Sequence, residues 1–506
     1  MINKVFSASV VGLDAELVEV EADTGGGEHG FFSVVGLPDK AVTEARERVR
    51  SAVKNSGFEF PRVKVTVNLA PAYLPKHGPS FDLPIAVSIL RKIGFLPEEI
   101  NLDNFIFTGE LALNGDLRPI TGALPIALCA RQHKKSAIFV PEANAAEAKL
   151  AKEISVIPVK NLSQLIGHLR GKEVIAETSY RDPELFNIPI EHDMAHVKGQ
   201  EHVKRAMEIA AAGGHNLLMF GPPGSGKTML AKTFPSILPD LSFEEALEVT
   251  KIYSVAGKLR EKNGLIKSRP FRAPHHTASS VALVGGGAIP TPGEISLAHR
   301  GVLFLDEFAE FPRPVLEAMR QPLEDGVITV SRATGHLEFP AKFILIASMN
   351  PCPCGYYGDR AKTCSCSAIQ IQNYRKKISG PIIDRIDMHL EVPRVDFKHL
   401  TDEIPAENSA KIKERVQKAR EIQTERFKND KFIANSEMSS EKTRQCCNLN
   451  TEAKQLISDA VNNLNLSARA YFRILKLART IADLEEEPNI SATNLAEALQ
   501  YREKIS

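Results

Sequence analysis

The sequence has no excess of charge of either sign: 63 lysines and arginines stand against 62 aspartates and glutamates, a formal net charge of +1. That removes any global electrostatic signal for nucleic acid or a membrane surface, although a neutral total leaves room for a local basic channel. Long apolar runs are missing too. No stretch approaches the roughly 18 uninterrupted apolar residues of a membrane span. The opening "MINKVFSASVVGLDAELVEVEAD" meets acidic residues too early for a secretory signal. Cysteine is scarce, seven in 506 residues with four of them clustered, which argues against a disulfide framework and for a reducing compartment. Internal repeats and low-complexity tracts are absent. The expectation is a cytoplasmic protein that makes no membrane contact.

What remains is an ordinary globular composition, 43% hydrophobic and 25% charged, in a chain long enough to predict about two to four domains. Residues 1–172 alternate β-rich runs ("ELVEVEA", "FFSVVGL", "VKVTVNLA", "SAIFVP") with helical patterns ("DKAVTEARERVRSAVKNSG", "DLPIAVSILRKIG"), as in an α/β or α+β domain. Residues 173–195 are polar, hold two prolines and show no sustained period, which reads as a linker. Over 196–400, helices alternate with strongly apolar strands ("NLLMF", "GVLFLDE", "KFILIASM"), the pattern of a parallel sheet buried on both faces. From 401 to 506 the pattern is almost wholly helical.

"GPPGSGKT" comprises Gly221, Pro222, Pro223, Gly224, Ser225, Gly226, Lys227 and Thr228, and it fits the Walker A pattern in full. It follows the strand "NLLMF" and opens the helix "TMLAKTF", the context in which glycines let backbone N–H groups converge on phosphates at a helix N-terminus. Lys227 can reach the β- and γ-phosphates of ATP, and Thr228 can offer its hydroxyl to Mg²⁺. The apolar strand "GVLFLDE" ends in Asp306, suited to hold Mg²⁺, and Glu307, suited to orient or deprotonate the attacking water. A third apolar strand ends in Asn350, which can position the same water; the alternative is a turn asparagine.

The order Walker A, Walker B, strand ending in Asn, "DRID" and helical lid resembles that of AAA+ ATPases. "FRAPHHTAS", "GGGAIPTPGEISLAHRGVLFLDE" and "SARAYFRILKLARTIADLE" narrow the resemblance to magnesium-chelatase-like proteins of the ComM (YifB) type. It implies an arginine finger at Arg385, reaching into a neighbour's site, and a sensor arginine on the lid at Arg469. A finger in trans implies a homo-hexameric ring. "YLPKHGPSFDLPIA" and "TGELALNGDLRPITGALPIAL" are similar to the Lon-protease domain. Ser80 takes the place of its nucleophile, but Leu124 stands where the activating lysine belongs. Leucine accepts no proton, so a Lon-like fold without peptidase activity is expected. Lys76 and Lys134 are the nearby lysines, and neither fits the motif.

"PCPCGYYGDRAKTCSCS", within 351–368, holds Cys352, Cys354, Cys364 and Cys366. Four thiolates can build a tetrahedral Zn²⁺ site. The C-x-C spacing is tighter than usual, and free thiols are the alternative; the clustering favours zinc in a structural role. "DGVITVSRATGHLEFPAK" reads as a β-hairpin and is similar to the pre-sensor hairpin of helicase-related AAA+ proteins, with Arg332 and His336 at its tip. "RPFRAPHHTASSVALVGGG" supplies a second basic loop with Arg269, Arg272, His275 and His276. Either can touch phosphates of single-stranded or branched DNA, with little sequence preference and steep salt dependence.

The fold expected is α/β: an AAA+ P-loop parallel sheet with a helical C-terminal lid, preceded by a Lon-protease-like α+β domain. The resemblance implies a branch-migration helicase acting in natural transformation and homologous recombination. The alternative is a chelatase-like motor that remodels a protein partner.

Overall fold

The computed structural model describes residues 4–25, 31–97, 99–179, 192–259, 264–287, 290–332, 335–359, 361–394, 407–464 and 466–502. Most of the expected linker (180–191) and the expected boundary at 400/401 lie outside them. The chain divides into two compact units, residues 1–186 with 246–266, and residues 187–245 with 267–506.

The first unit is built on a seven-stranded mixed sheet. Its spatial order is Phe32–Val35, Lys64–Ala70, Asp14–Gly25, Lys4–Val11, Phe105–Phe107, Ala137–Pro141 and Ser155–Val159. Asp14–Gly25 runs antiparallel to both of its neighbours, and the last four strands run parallel. Alternation sets the register: Val18, Val20 and Ala22 turn inward, and Val20 lies opposite Val5 on one side and Leu69 on the other. The helix Lys40–Asn55 buries Val42, Ala45, Val49, Ala52 and Val53, spacings of three and four that make one apolar face. Asp39 caps it by accepting from the Val42 N–H at 2.8 Å.

Residues 246–266, most of the helix Phe243–Val255 and the turn after it, pack within this unit. The Ser254 hydroxyl donates to the buried Glu147 carboxylate, and the Ser254 carbonyl accepts from Gly122 N–H at 3.2 Å. Glu147 also accepts from Leu124 N–H at 2.9 Å.

The second unit carries a five-stranded, all-parallel sheet in the order Phe271–Arg272, Val302–Leu305, Ile344–Met349, Leu217–Phe220 and Met388–Glu391. Every side chain of Val302–Leu305 and Ile344–Met349 is buried, so these strands read as unbroken apolar runs because both sheet faces are covered. The helices Ser409–Arg426, Thr451–Leu464, Ala468–Leu484 and Ala492–Gln500 share one hydrophobic core with the sheet. At their centre Asp483, fully buried, is paired with Arg426 and Arg479 and accepts from Asn435 at 2.8 Å. The α/β expectation, a parallel sheet with a helical C-terminal part, holds.

Candidate nucleotide site

The Leu217–Phe220 strand pairs with Ile344–Met349 on one side and Met388–Glu391 on the other. Its C-terminal end therefore lies inside the sheet with a strand on each side, at the carboxyl ends where crevices form in open α/β sheets. The loop Gly221–Gly226 leaves from this point. Gly226 stands at φ 90° as the N-cap of the helix Lys227–Thr233, a left-handed conformation that glycine adopts without steric cost. The Lys227 ammonium donates to the carbonyls of Gly221 at 2.7 Å and Pro222 at 2.9 Å. Burial pulls its pKa below the ordinary lysine value, against the opposing pull of Asp306. Gln200, which no sequence motif marks, donates to the Ser225 carbonyl at 2.9 Å and the Pro393 carbonyl at 3.0 Å, tying the loop to the last strand.

Asp306 follows the Val302–Leu305 strand, two positions away in the sheet with Ile344–Met349 between. Thr228 Oγ1 donates to its Oδ2 at 2.9 Å, and Ser348 donates to its Oδ1. The Thr228 hydroxyl and the Asp306 carboxylate thus converge on one point beside the P-loop, an oxygen set suited to a hard divalent cation. Glu307 adopts φ 53° and ψ 46°, a region uncommon for non-glycine residues that costs about 1–3 kcal/mol and clusters at functional sites. Its carboxylate lies 3.2 Å from His276 Nδ1, and the His276 ring stands 4.1 Å from that of His275. His276 was expected in a basic DNA-facing loop; the structure sets it against Glu307 instead.

Asn350 follows Ile344–Met349 at the same sheet edge, and its backbone acts on the buried Tyr374 phenol, lowering its pKa. Burial is the main cause that pushes Tyr374 up to about 12. The four cysteines come next in the chain. Sγ of Cys352 lies 3.4 Å from Cys354 and 3.7 Å from Cys364, Cys354 and Cys364 are 3.5 Å apart, and all four sulfurs, Cys366 included, fall within 4.8 Å of one another. Tyr357 N–H donates to Cys352 Sγ at 3.3 Å, and Cys366 N–H to Cys364 Sγ at 3.4 Å. At Gly355, between the two pairs, a Cβ would fall 2.7 Å from Pro223 Cδ. The cysteine turn therefore rests directly on the P-loop.

The two arginines lie elsewhere. Met388 pairs with Leu217 and Glu391 with Phe220, so Arg385, just before that strand, is at the end of the sheet opposite the P-loop. Its guanidinium forks onto Glu324 and donates to the Pro381 carbonyl at 2.7 Å. Arg469, near the start of Ala468–Leu484, donates to the other oxygen of Glu324 at 3.1 Å. One carboxylate, which no motif in the sequence marks, gathers both.

Of the DNA candidates, Arg272 is held by Glu294 through bonds of 2.6 and 2.8 Å, and Arg269 by Glu245 at 3.1 and 3.3 Å. Both guanidiniums are thus paired with carboxylates. The hairpin has the expected form: Val327–Arg332 pairs antiparallel with Gly335–Pro340, with Arg332 opposite Gly335 and His336 opposite Ser331. Residues 333–334 at its tip lie outside the described residues.

In the first unit, Ser80 occupies the short turn Pro79–Phe81, and Leu124 is fully buried. Lys76 is buried as well and donates to the Pro71 carbonyl. Among the described residues neither Lys76 nor Lys134 is hydrogen-bonded to Ser80.

A Walker-type loop and acidic strand end on a parallel sheet, roofed by helices, define an AAA+ ATPase core. The family profile described as "Magnesium chelatase, subunit ChlI" matches residues 193–400, its C-terminal counterpart matches 406–502, and "Subunit ChlI of Mg-chelatase" matches 18–144. The chain is 45% identical over 507 residues to "Competence protein ComM" of Haemophilus influenzae, covering 99% of this chain and 97% of that protein. It is 43% identical over 499 residues to YifB of Escherichia coli, covering 98% and 96%. A Lon protease of Rhizobium meliloti is 32% identical over 161 residues, 31% of this chain and 18% of that protein. The chain belongs to the ComM/YifB type of magnesium-chelatase-like AAA+ ATPases, with a Lon-like N-terminal region. Among the described residues, no helix is long and apolar enough to cross a membrane.

Proposed function

We propose that the chain is an ATP-driven DNA motor that works as a homo-hexameric ring and migrates branch points when single-stranded DNA is recombined during natural transformation. The observation that carries this reading is 45% identity to a competence protein over 99% of the chain. The Thr228–Asp306 pairing beside the P-loop supports the ATPase half of it.

In this reading the Gly221–Gly226 backbone and Lys227 cradle the phosphates of ATP. Thr228 and Asp306 would hold Mg²⁺, which neutralises phosphate charge. Glu307 orients the attacking water and takes its proton, His276 holds the Glu307 carboxylate in place, and Asn350 positions the water from the neighbouring strand. Arg385 and Arg469 lie at the far sheet end from their own P-loop. That placement favours a role at the γ-phosphate of an adjacent subunit, where such a guanidinium is worth about 10³–10⁵ in rate. The hairpin carrying Arg332 and His336 would face the pore and grip DNA.

We assign a structural Zn²⁺ to Cys352, Cys354, Cys364 and Cys366. Sulfurs about 2.3 Å from a common tetrahedral centre stand about 3.8 Å from one another, close to the 3.4–3.7 Å separations found. The Lon-like region, lacking a base for Ser80, serves as a peptidase-inactive collar on the ring.

The chelatase profiles, one of which spans the Lon-like region as well, favour a second reading: a motor that remodels a protein partner. Measuring ATP turnover with and without single-stranded and four-way branched DNA separates the two. Stimulation by DNA and ATP-dependent resolution of the branched substrate are expected. DNA that neither binds nor stimulates, alongside a protein that does, would establish the second reading.

A further inference from the structure

A cavity of about 320 Å³ lies between the ATPase sheet and the lid helices of the second unit. Asn216, Gly301, Ile344 and Asp387 on its wall mark the N-terminal ends of the strands, so it opens at the end of the sheet opposite the P-loop. Seven lysine and arginine side chains line it against five aspartates and glutamates; Lys431 and Asp325 are exposed, and pairing among the rest leaves two cations over. Glu437 is shared by Arg300 at 3.5 Å and Lys342 at 2.7 Å. Glu245 is taken by Arg269, Asp387 by Arg473, and Glu324 by Arg385 and Arg469 from outside the lining.

Among the described residues, Arg420 and Lys476 have no carboxylate partner. Arg420 donates only to the carbonyls of Ile433 at 3.2 Å and Ala211 at 3.3 Å, and its Nε has no partner. The Lys476 ammonium donates to the Ser436 carbonyl at 3.0 Å. Carbonyl dipoles satisfy hydrogen bonds but do not cancel a full charge, and a buried cation is normally matched by an anion. Burial, with Arg269 adding to it, pushes Arg420 down to about 10, and burial likewise lowers Lys476. Glu245 and Glu437 oppose the fall at Arg420, and Asp387 and Glu437 at Lys476, without a hydrogen bond to either cation.

We infer that this cavity binds a phosphate-bearing small anion, held between the Arg420 guanidinium and the Lys476 ammonium. A planar fork and a compact ammonium on the wall of one cavity suit the several oxygens of a phosphate, and the volume lies within the range of small-molecule sites. Arg420 belongs to the helix Ser409–Arg426 and Lys476 to Ala468–Leu484, both in the lid; Arg300 and Lys342 flank the sheet. Occupancy therefore ties lid to core at a site separate from the catalytic phosphates.

The test uses full-length Lys227→Ala protein, in which the P-loop is disabled. Thermal unfolding is followed as sodium pyrophosphate is added at constant ionic strength. A saturable rise in midpoint is expected, and Arg420→Gln or Lys476→Gln on the same background should weaken the apparent affinity about tenfold or more. AMP in place of pyrophosphate distinguishes a nucleoside phosphate from an inorganic polyphosphate, and a response to either upholds the site. A midpoint no higher than in matched chloride, or a response unchanged by both substitutions, overturns it. Should the substituted chains fail to fold, Lys227→Ala protein is treated with pyridoxal phosphate and borohydride. Labelling of Lys476 that pyrophosphate suppresses supports the proposal; labelling that is absent or indifferent to pyrophosphate overturns it.

Discussion

Thr228 and Asp306 are 78 residues apart in the chain, yet the threonine hydroxyl donates to the aspartate at 2.9 Å across two strand ends. The pairing joins the phosphate loop to the acidic strand end and leaves Glu307 free to act separately. Lys227→Ala should therefore abolish ATP binding, while Glu307→Gln should bind ATP normally and turn it over at least about 10²-fold more slowly, the usual range for a lost general base. Fluorescent-nucleotide binding and phosphate release measure the two arms. Wild-type turnover by Glu307→Gln protein would remove that carboxylate from the chemistry.

Arg385 and Arg469 share Glu324, so the carboxylate holds both guanidiniums on one face. Arg385→Ala should leave nucleotide affinity nearly unchanged and cut hydrolysis about 10³-fold or more. Mixing it with Lys227→Ala subunits should restore part of the activity, because mixed rings pair an intact P-loop with an intact finger. Hydrolysis of the Arg385→Ala protein at the wild-type rate would contradict the role.

The P-loop was legible because its chemistry is local. A glycine at φ 90° before a helix needs glycine whatever the rest of the fold does. The central strands were legible as well, since burial on both faces leaves an unbroken apolar run at Val302–Leu305 and Ile344–Met349. Side-chain partners across long separations were not. Glu324 meets Arg385 61 residues on and Arg469 145 residues on, and nothing in its neighbours within the sequence marks it. The partner of Arg272, Glu294, arrives from a helix 22 residues later, and no local pattern announces it. The approach of His276 to Glu307 is hidden for the same reason.

The lid offers a stability test independent of nucleotide. Asp483→Ala would leave Arg426 and Arg479 without the carboxylate that pairs them, and Arg479 is fully buried. Breaking a buried pair on one side costs about 3–5 kcal/mol. Urea unfolding should show a loss of that size, and a loss under 1 kcal/mol would mean that water reaches the guanidiniums.

Protein purified without chelators should contain about one zinc per chain. Replacing Cys354 and Cys364 with serine should abolish it. Because Gly355 rests on Pro223, loss of the metal should also loosen the P-loop and weaken ATP binding, an effect that free surface thiols would not produce. Four thiols titrating freely in the native, metal-free protein would exclude the site.

The final prediction concerns the substrate. The hairpin Val327–Pro340 lies in the chain between the strand before Asp306 and the strand before Asn350, so movement at either strand end reaches it directly. Arg332 stands opposite Gly335, next to the tip. In a ring motor that grips the backbone, Arg332→Ala should weaken DNA binding about equally for unrelated sequences. It should also reduce the slope of log affinity against log salt by about one phosphate contact. ATP turnover without DNA should stay at the wild-type level, because the hairpin contributes nothing to the phosphate cradle, whereas stimulation by DNA should fall. Fluorescence anisotropy at several salt concentrations, with turnover measured on the same samples, checks both. An unchanged salt slope, or a weakening confined to one sequence, would place the phosphate contact elsewhere on the ring.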